Sequence, residues 1–90
     1  MPDEPLLRKK ARDAIRSGKL PVGKPDRTFG GPGSDLTCSV CGEPVKRGEA
    51  EFELEFNRHG VIPGLDRYHF HVRCFSAWEF ERTKIDGASI

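Results

Sequence analysis

Two short pairs of soft ligands mark this sequence: Cys38-Ser-Val-Cys41, followed at once by Gly42, and His71-Val-Arg-Cys74, after an interval of 29 residues. Together they use all three cysteines, so an odd count that cannot pair fully as disulfides becomes a complete Cys3His set. Thiolate and imidazole are the donors a tetrahedral zinc ion takes, at about 2.0–2.3 Å. A CxxC turn aims two sulfurs at one point, its backbone N–H groups helping to hold their charge, and Gly42 relieves the tight turn that follows. In the second pair, the i, i+3 spacing in the first turn of a helix projects both side chains from one face, where the helix dipole favours a thiolate. The expected cofactor is Zn2+, bound by Cys38, Cys41, His71 and Cys74. Two other readings stay open: three buried thiols with a core histidine, and a CxxC redox couple. His69 competes with His71 for the fourth ligand position, and His59 is expected at the surface.

The elements that must position these ligands follow from periodicity. Glu51-Phe-Glu-Leu-Glu-Phe56 alternates strictly, which puts Phe52, Leu54 and Phe56 on one face of a strand and three glutamates on a solvated face. Residues 57–64 hold turn formers. Tyr68 and Phe70 then alternate with Arg67 and His69, as expected of an antiparallel return strand whose basic residues face the glutamates. From His71 the spacing changes to that of a helix, through Cys74, Phe75, Trp78, Arg82 and Ile85, with Gly87 as its stop. The aromatic pair Phe75 and Trp78 reads as core.

Upstream, Leu7, Ala11, Ala14 and Ile15 form one apolar stripe, and Pro5 and Gly18 bracket a helix over about residues 5–17. Residues 20–35 contain four glycines and three prolines and read as extended linker, with Gly30-Gly-Pro-Gly33 as a hinge. The expected organisation is a basic N-terminal arm and linker over 1–35, a zinc-binding domain over 36–86 and a tail over 87–90. The expected fold class is α+β: a small zinc-stabilised, treble-clef-like unit of knuckle, β-hairpin and C-terminal helix, carrying a helical basic arm.

This order of knuckle, hairpin and helix is similar to that of treble-clef zinc fingers. The CxxC and HxxC pairs, their 29-residue separation and the aromatic Phe75 after Cys74 resemble the poly(ADP-ribose) polymerase type of finger over about residues 36–82. That resemblance implies a finger that reads DNA breaks through basic and apolar loops. Tyr68-His-Phe-His-Val-Arg-Cys74-Phe and Pro25-Asp-Arg-Thr-Phe29-Gly-Gly-Pro-Gly also look like small bacterial proteins of unassigned function.

Charge narrows the function classes. The chain carries +1 overall, but residues 1–33 hold +4 and residues 34–90 hold −3. The hairpin glutamates would repel phosphate, so any nucleic-acid contact moves to Arg8, Lys9, Arg12 and Arg16 on the arm. A solvated helix face is the plainer reading of those four residues. Four protein ligands close a zinc tetrahedron and leave no position for water, and Ser34, Ser39 and Ser76 lack an evident base, so the expectation is a non-enzyme with no small-molecule substrate. No stretch approaches the ~18 apolar residues of a membrane span, and no basic and apolar leader pattern opens the sequence, so the cytoplasm is the expected location. The function expected is an interaction module for a protein or nucleic acid. The alternative is a thiol-based redox or metal-responsive regulator.

Overall fold

A computed structural model describes the backbone of residues 4–58 and 61–88 and the side chains of these up to residue 85. Its elements in chain order are α1 (Glu4–Arg16), β1 (Arg27–Pro32), β2 (Ala50–Arg58), β3 (Gly64–His71) and α2 (Val72–Ala88). The three strands form one antiparallel sheet in the order β1-β2-β3. The fold class is α+β as expected, and no described helix is long and apolar enough to cross a membrane. His59 lies outside the described residues, as do residues 89–90 of the expected tail.

The alternating segment forms β2, and its apolar face makes the core. Leu54 is fully buried, with Phe52 and Phe56 packed beside it. Phe70 on β3 and Trp78 on α2 complete an aromatic cluster: the Phe70 and Trp78 rings lie 5.5 Å apart, and Phe56 meets Trp78 edge-on at 6.3 Å. Such tilted and edge contacts suit the ring quadrupoles and add to the area that burial removes from water. The register pairs Glu53 with His69 and Glu55 with Arg67, which places the basic residues of β3 against the acidic row of β2 as expected.

Three expectations change. First, the segment read as hinge and linker contains β1, paired with β2 from Arg27 opposite Glu55 to Pro32 opposite Ala50. Its glycines and proline hide a strand because β1 lies at the sheet edge, exposed along its whole length, and is held by backbone bonds rather than by side-chain burial. The Gly33 N–H continues the ladder to the Glu49 carbonyl at 2.8 Å. Pro32, one position before, falls where the strand's N–H would point away from β2, the place a proline is tolerated.

Second, the arm is not separate from the domain. Leu7 and Ala11 are fully buried and Ala14 nearly so, and α1 packs along α2. Leu20 is buried in the same core, and the Trp78 indole N–H donates to the Pro21 carbonyl at 3.0 Å. One core therefore spans the boundary expected at residue 35. α1 stops where expected: Gly18 adopts φ 83°, and the Leu20 N–H folds back onto the Ala14 carbonyl at 3.1 Å.

Third, the last helix is shifted. His71 still pairs across the sheet with Glu51 as the final residue of β3, so α2 starts at Val72, and it runs through Gly87 to Ala88. A glycine near a helix end costs only about 1 kcal/mol and does not have to terminate it.

Candidate metal centre

The knuckle is closed by backbone. Thr37 and Pro44 form an antiparallel bridge, the Cys38 N–H donates to the Glu43 carbonyl at 2.8 Å, and the Gly42 N–H returns to the Cys38 carbonyl at 3.1 Å. That tight return requires φ 81° at Gly42, a left-handed conformation that glycine adopts without strain. The knuckle is tied to the hairpin by the Ser39 N–H, which donates to the His69 carbonyl at 2.8 Å. It thereby sits beside the junction of β3 and α2, where the other two residues emerge.

The donor atoms of Cys38, Cys41, His71 and Cys74 all lie within 4.8 Å of one another. His71 Nδ1 is 3.4 Å from Cys41 Sγ and 3.8 Å from Cys74 Sγ. A tetrahedron built on thiolates and imidazole has edges of about 3.5–3.8 Å, so these residues fit a small tetrahedral ion. His71 Nε2–H donates to the Pro44 carbonyl at 3.2 Å, with Glu49 Oε1 at 3.6 Å, which leaves the Nδ1 lone pair facing the sulfurs. The second pair therefore works differently from the expectation. His71 approaches from the end of a strand and Cys74 from the first turn of α2, so the helix dipole acts on Cys74 alone.

The cluster has the electrostatics of a site that needs a cation. A hydrogen bond from Cys74 holds the Cys38 thiol well below its ordinary range, helped by backbone N–H groups and opposed by burial. Cys74 is pushed up by donating that bond to Cys38 and by burial, and Cys41 is raised, chiefly by burial. The protein's own groups stabilise one thiolate readily; a divalent ion would favour all three.

His69 is elsewhere. Its Nδ1 lies 3.1 Å from Glu51 Oε2 and 3.9 Å from Glu53 Oε1, so it joins the acidic row and leaves the ligand position to His71. The glutamate face is not the solvated face expected. Glu51 and Glu55 are buried at 8% and 7% exposure. The Ser34 hydroxyl donates to Glu51 Oε1 at 2.7 Å, while Arg27 and Arg67 reach the two oxygens of Glu55 at 3.1 and 3.0 Å. Burial acts to raise the Glu51 carboxyl, but the Ser34 and His69 hydrogen bonds outweigh it and hold the group low; Arg67 and then Arg27 hold Glu55 low. Ser34 and Arg27 were invisible as partners because both sit in the segment that reads as linker.

The four basic residues of the arm have three different fates. Arg12 pairs with Glu81 of α2 at 2.9 Å, and Arg8 lies 4.3 Å from the centre of the Phe80 ring while reaching Glu4 at 3.8 Å. Lys9 pairs with Asp13 at 2.9 Å on the surface, and Arg16 is exposed. Arg8 and Arg12 thus join α1 to α2, a use that helical periodicity alone does not reveal.

Compared with protein-family models, with curated proteins and with solved structures, the chain matches none. The class is accordingly defined by fold and site together: a small α+β protein whose knuckle, hairpin and helix bring a Cys3His cluster to one point.

Proposed function

We propose that this protein is a non-catalytic, zinc-stabilised interaction module, in which Cys38, Cys41, His71 and Cys74 hold the ion and the surface around α1 receives an anionic partner. The observation that carries the reading is the closed set of four donors within 4.8 Å. Three soft thiolates with one imidazole favour zinc over magnesium or calcium, which take oxygen ligands. When bound, the ion supplies charge neutralisation and a cross-link; the chain's own residues leave no ligand position for a reacting water. The partner, protein or nucleic acid, would meet Lys10, Arg16 and Lys19, since Arg8 and Arg12 are engaged with α2.

Metal analysis of protein purified without added zinc, followed by chelation, tests the reading. The expected result is about one zinc per chain and loss of the cooperative melt on removal, because structural zinc contributes on the order of 10–16 kcal/mol in finger peptides. Verified metal removal with an unchanged far-UV spectrum and melt would overturn it.

One observation favours a second reading, a thiol-based redox or metal-responsive regulator. Cys41 is half-buried and, with the more deeply buried Cys38, lines a groove, whereas Cys74 is buried away from it. Titration with a mild oxidant while following zinc release tests it; zinc retained until harsh oxidation rejects it.

A further inference from the structure

A groove of about 540 Å³ runs between α1 and the knuckle. One wall is a single face of α1, with Lys10, Asp13 and Ala14 at i, i+3 and i+4; Ser17 and Lys19 follow in the turn after the helix, and residues 38–42 form the other wall. Ala14 and Val40 give the groove aliphatic surface.

Charge selects what can lie there. Internal pairing occupies many of the ions among the described residues: Asp13 is held by Lys9, Asp35 by Arg47, Asp66 by Arg58 and Glu81 by Arg12. Lys10 and Lys19 have no ion-pair partner among the described residues, and both line this groove. Three thiolates with a divalent ion would put −1 on the knuckle wall; opposite it Lys10 and Lys19 put +2, and the Asp13 carboxylate is balanced by Lys9. The groove is therefore weakly positive and carries aliphatic surface as well as cations.

We propose that this groove binds a short acidic peptide segment of a partner protein, with an aliphatic side chain against Ala14 and Val40 and carboxylates on either side meeting Lys10 and Lys19. The proposal rests on the interaction-module reading and specifies its partner. A nucleic-acid strand fits less well. No aromatic ring lines the groove to stack a base, and the metal-thiolate wall opposes a continuous row of phosphates. A peptide places few charges and can set them only where the lysines stand.

The test is fluorescence anisotropy at low salt on zinc-loaded protein. The probes are a labelled peptide of leucines flanked by aspartate and glutamate, the same peptide with lysines for the acids, and a labelled single-stranded oligonucleotide of mixed sequence. The acidic peptide is expected to bind and the lysine peptide not to bind. The double variant Lys10→Glu/Lys19→Glu should weaken binding by about tenfold or more, while Lys24→Glu/Lys46→Glu, the same charge change away from the groove, should leave it within about twofold. All four lysines lack buried partners, so both variants should retain the native melt, which is measured alongside. Equal losses in the two doubles, no binding of the acidic peptide, or oligonucleotide binding that alone depends on Lys10 and Lys19 would each overturn the proposal. The melt with and without chelator separates the two levels. A metal-dependent fold with no groove binding removes only this inference, whereas a metal-independent fold removes the module reading beneath it.

Discussion

Arg12 of α1 donates through Nε to a carboxylate oxygen of Glu81 on α2 at 2.9 Å, and Glu81 is only 2% exposed. A carboxylate that deep needs its partner, because removing one member of a buried pair leaves an uncompensated charge. Arg12→Leu should therefore destabilise by about 1–3 kcal/mol, below the ~3–5 kcal/mol of a fully buried pair because Arg12 is itself about a third exposed. The double variant Arg12→Leu/Glu81→Leu should recover much of that loss. Denaturant melts of the four proteins check it; a double variant as unstable as the sum of the singles would show that the pair is not coupled.

The choice of His71 over His69 has a spectroscopic consequence. Cobalt(II) in a thiolate-rich tetrahedral site gives intense charge-transfer absorption, so His69→Ala should leave the cobalt spectrum and affinity nearly unchanged. His71→Ala should alter the spectrum and weaken binding by at least about tenfold. The reverse pattern would exchange the roles of the two histidines.

Glu55 gives the stability a pH signature. Its folded-state pKa lies below the ordinary value of 4.5 because Arg67 and Arg27 hold the carboxylate. A depressed carboxylate stabilises the fold above the unfolded-state pKa, and the contribution disappears as pH falls through the folded-state value. Native protein should therefore melt above Glu55→Gln at neutral pH, with the gap closing below about pH 4. A gap that stays constant into acid would exclude the ion pairs as its source. Comparing the two proteins at each pH cancels the acid sensitivity of the metal ligands.

The single tryptophan is a direct reporter. Trp78 is fully buried, lies in the same α2 segment as Cys74 and donates its indole N–H to Pro21. Its emission should shift to the red on metal removal, in step with loss of the melt. Trp78→Phe keeps a ring in the cluster but leaves the Pro21 carbonyl without that donor, and should cost about 1–3 kcal/mol. Unshifted emission in verified metal-free protein would show that the aromatic core stands without the ion.

How much of this was legible in the sequence depended on whether a side chain carried its own signal. Phe52, Leu54 and Phe56 alternate because one face of β2 is buried, and Leu7, Ala11 and Ala14 recur because one face of α1 is buried, so both elements could be read. The metal cluster was legible for a chemical reason, since cysteine and histidine in two spaced pairs have few other uses. β1 could not be read this way: it buries no side chain, and Arg-Thr-Phe-Gly-Gly-Pro has no period to detect. The burial of Glu51 and Glu55 depends on Ser34, Arg27, Arg67 and His69, which converge only once β1 and β3 flank β2. The roles of Arg8 and Arg12 likewise depend on α2, since a basic stripe reads as solvated until its acidic or aromatic partner is known.

The packing of α1 along α2 also sets the order in which the chain can acquire structure during synthesis. A 13-residue helix alone in water is marginal, and the surfaces that shelter Leu7 and Ala11 lie on a helix that begins at Val72. Until α2 is present, Cys38 and Cys41 are only a two-thiol half-site and α1 has nothing to close against. Only when α2 emerges do His71 and Cys74, Trp78 and Glu81 arrive, almost together. Completion of the ligand set, closure of the core and docking of α1 therefore all wait on α2, and a chain lacking that helix would hold neither Cys74 nor a partner face for α1.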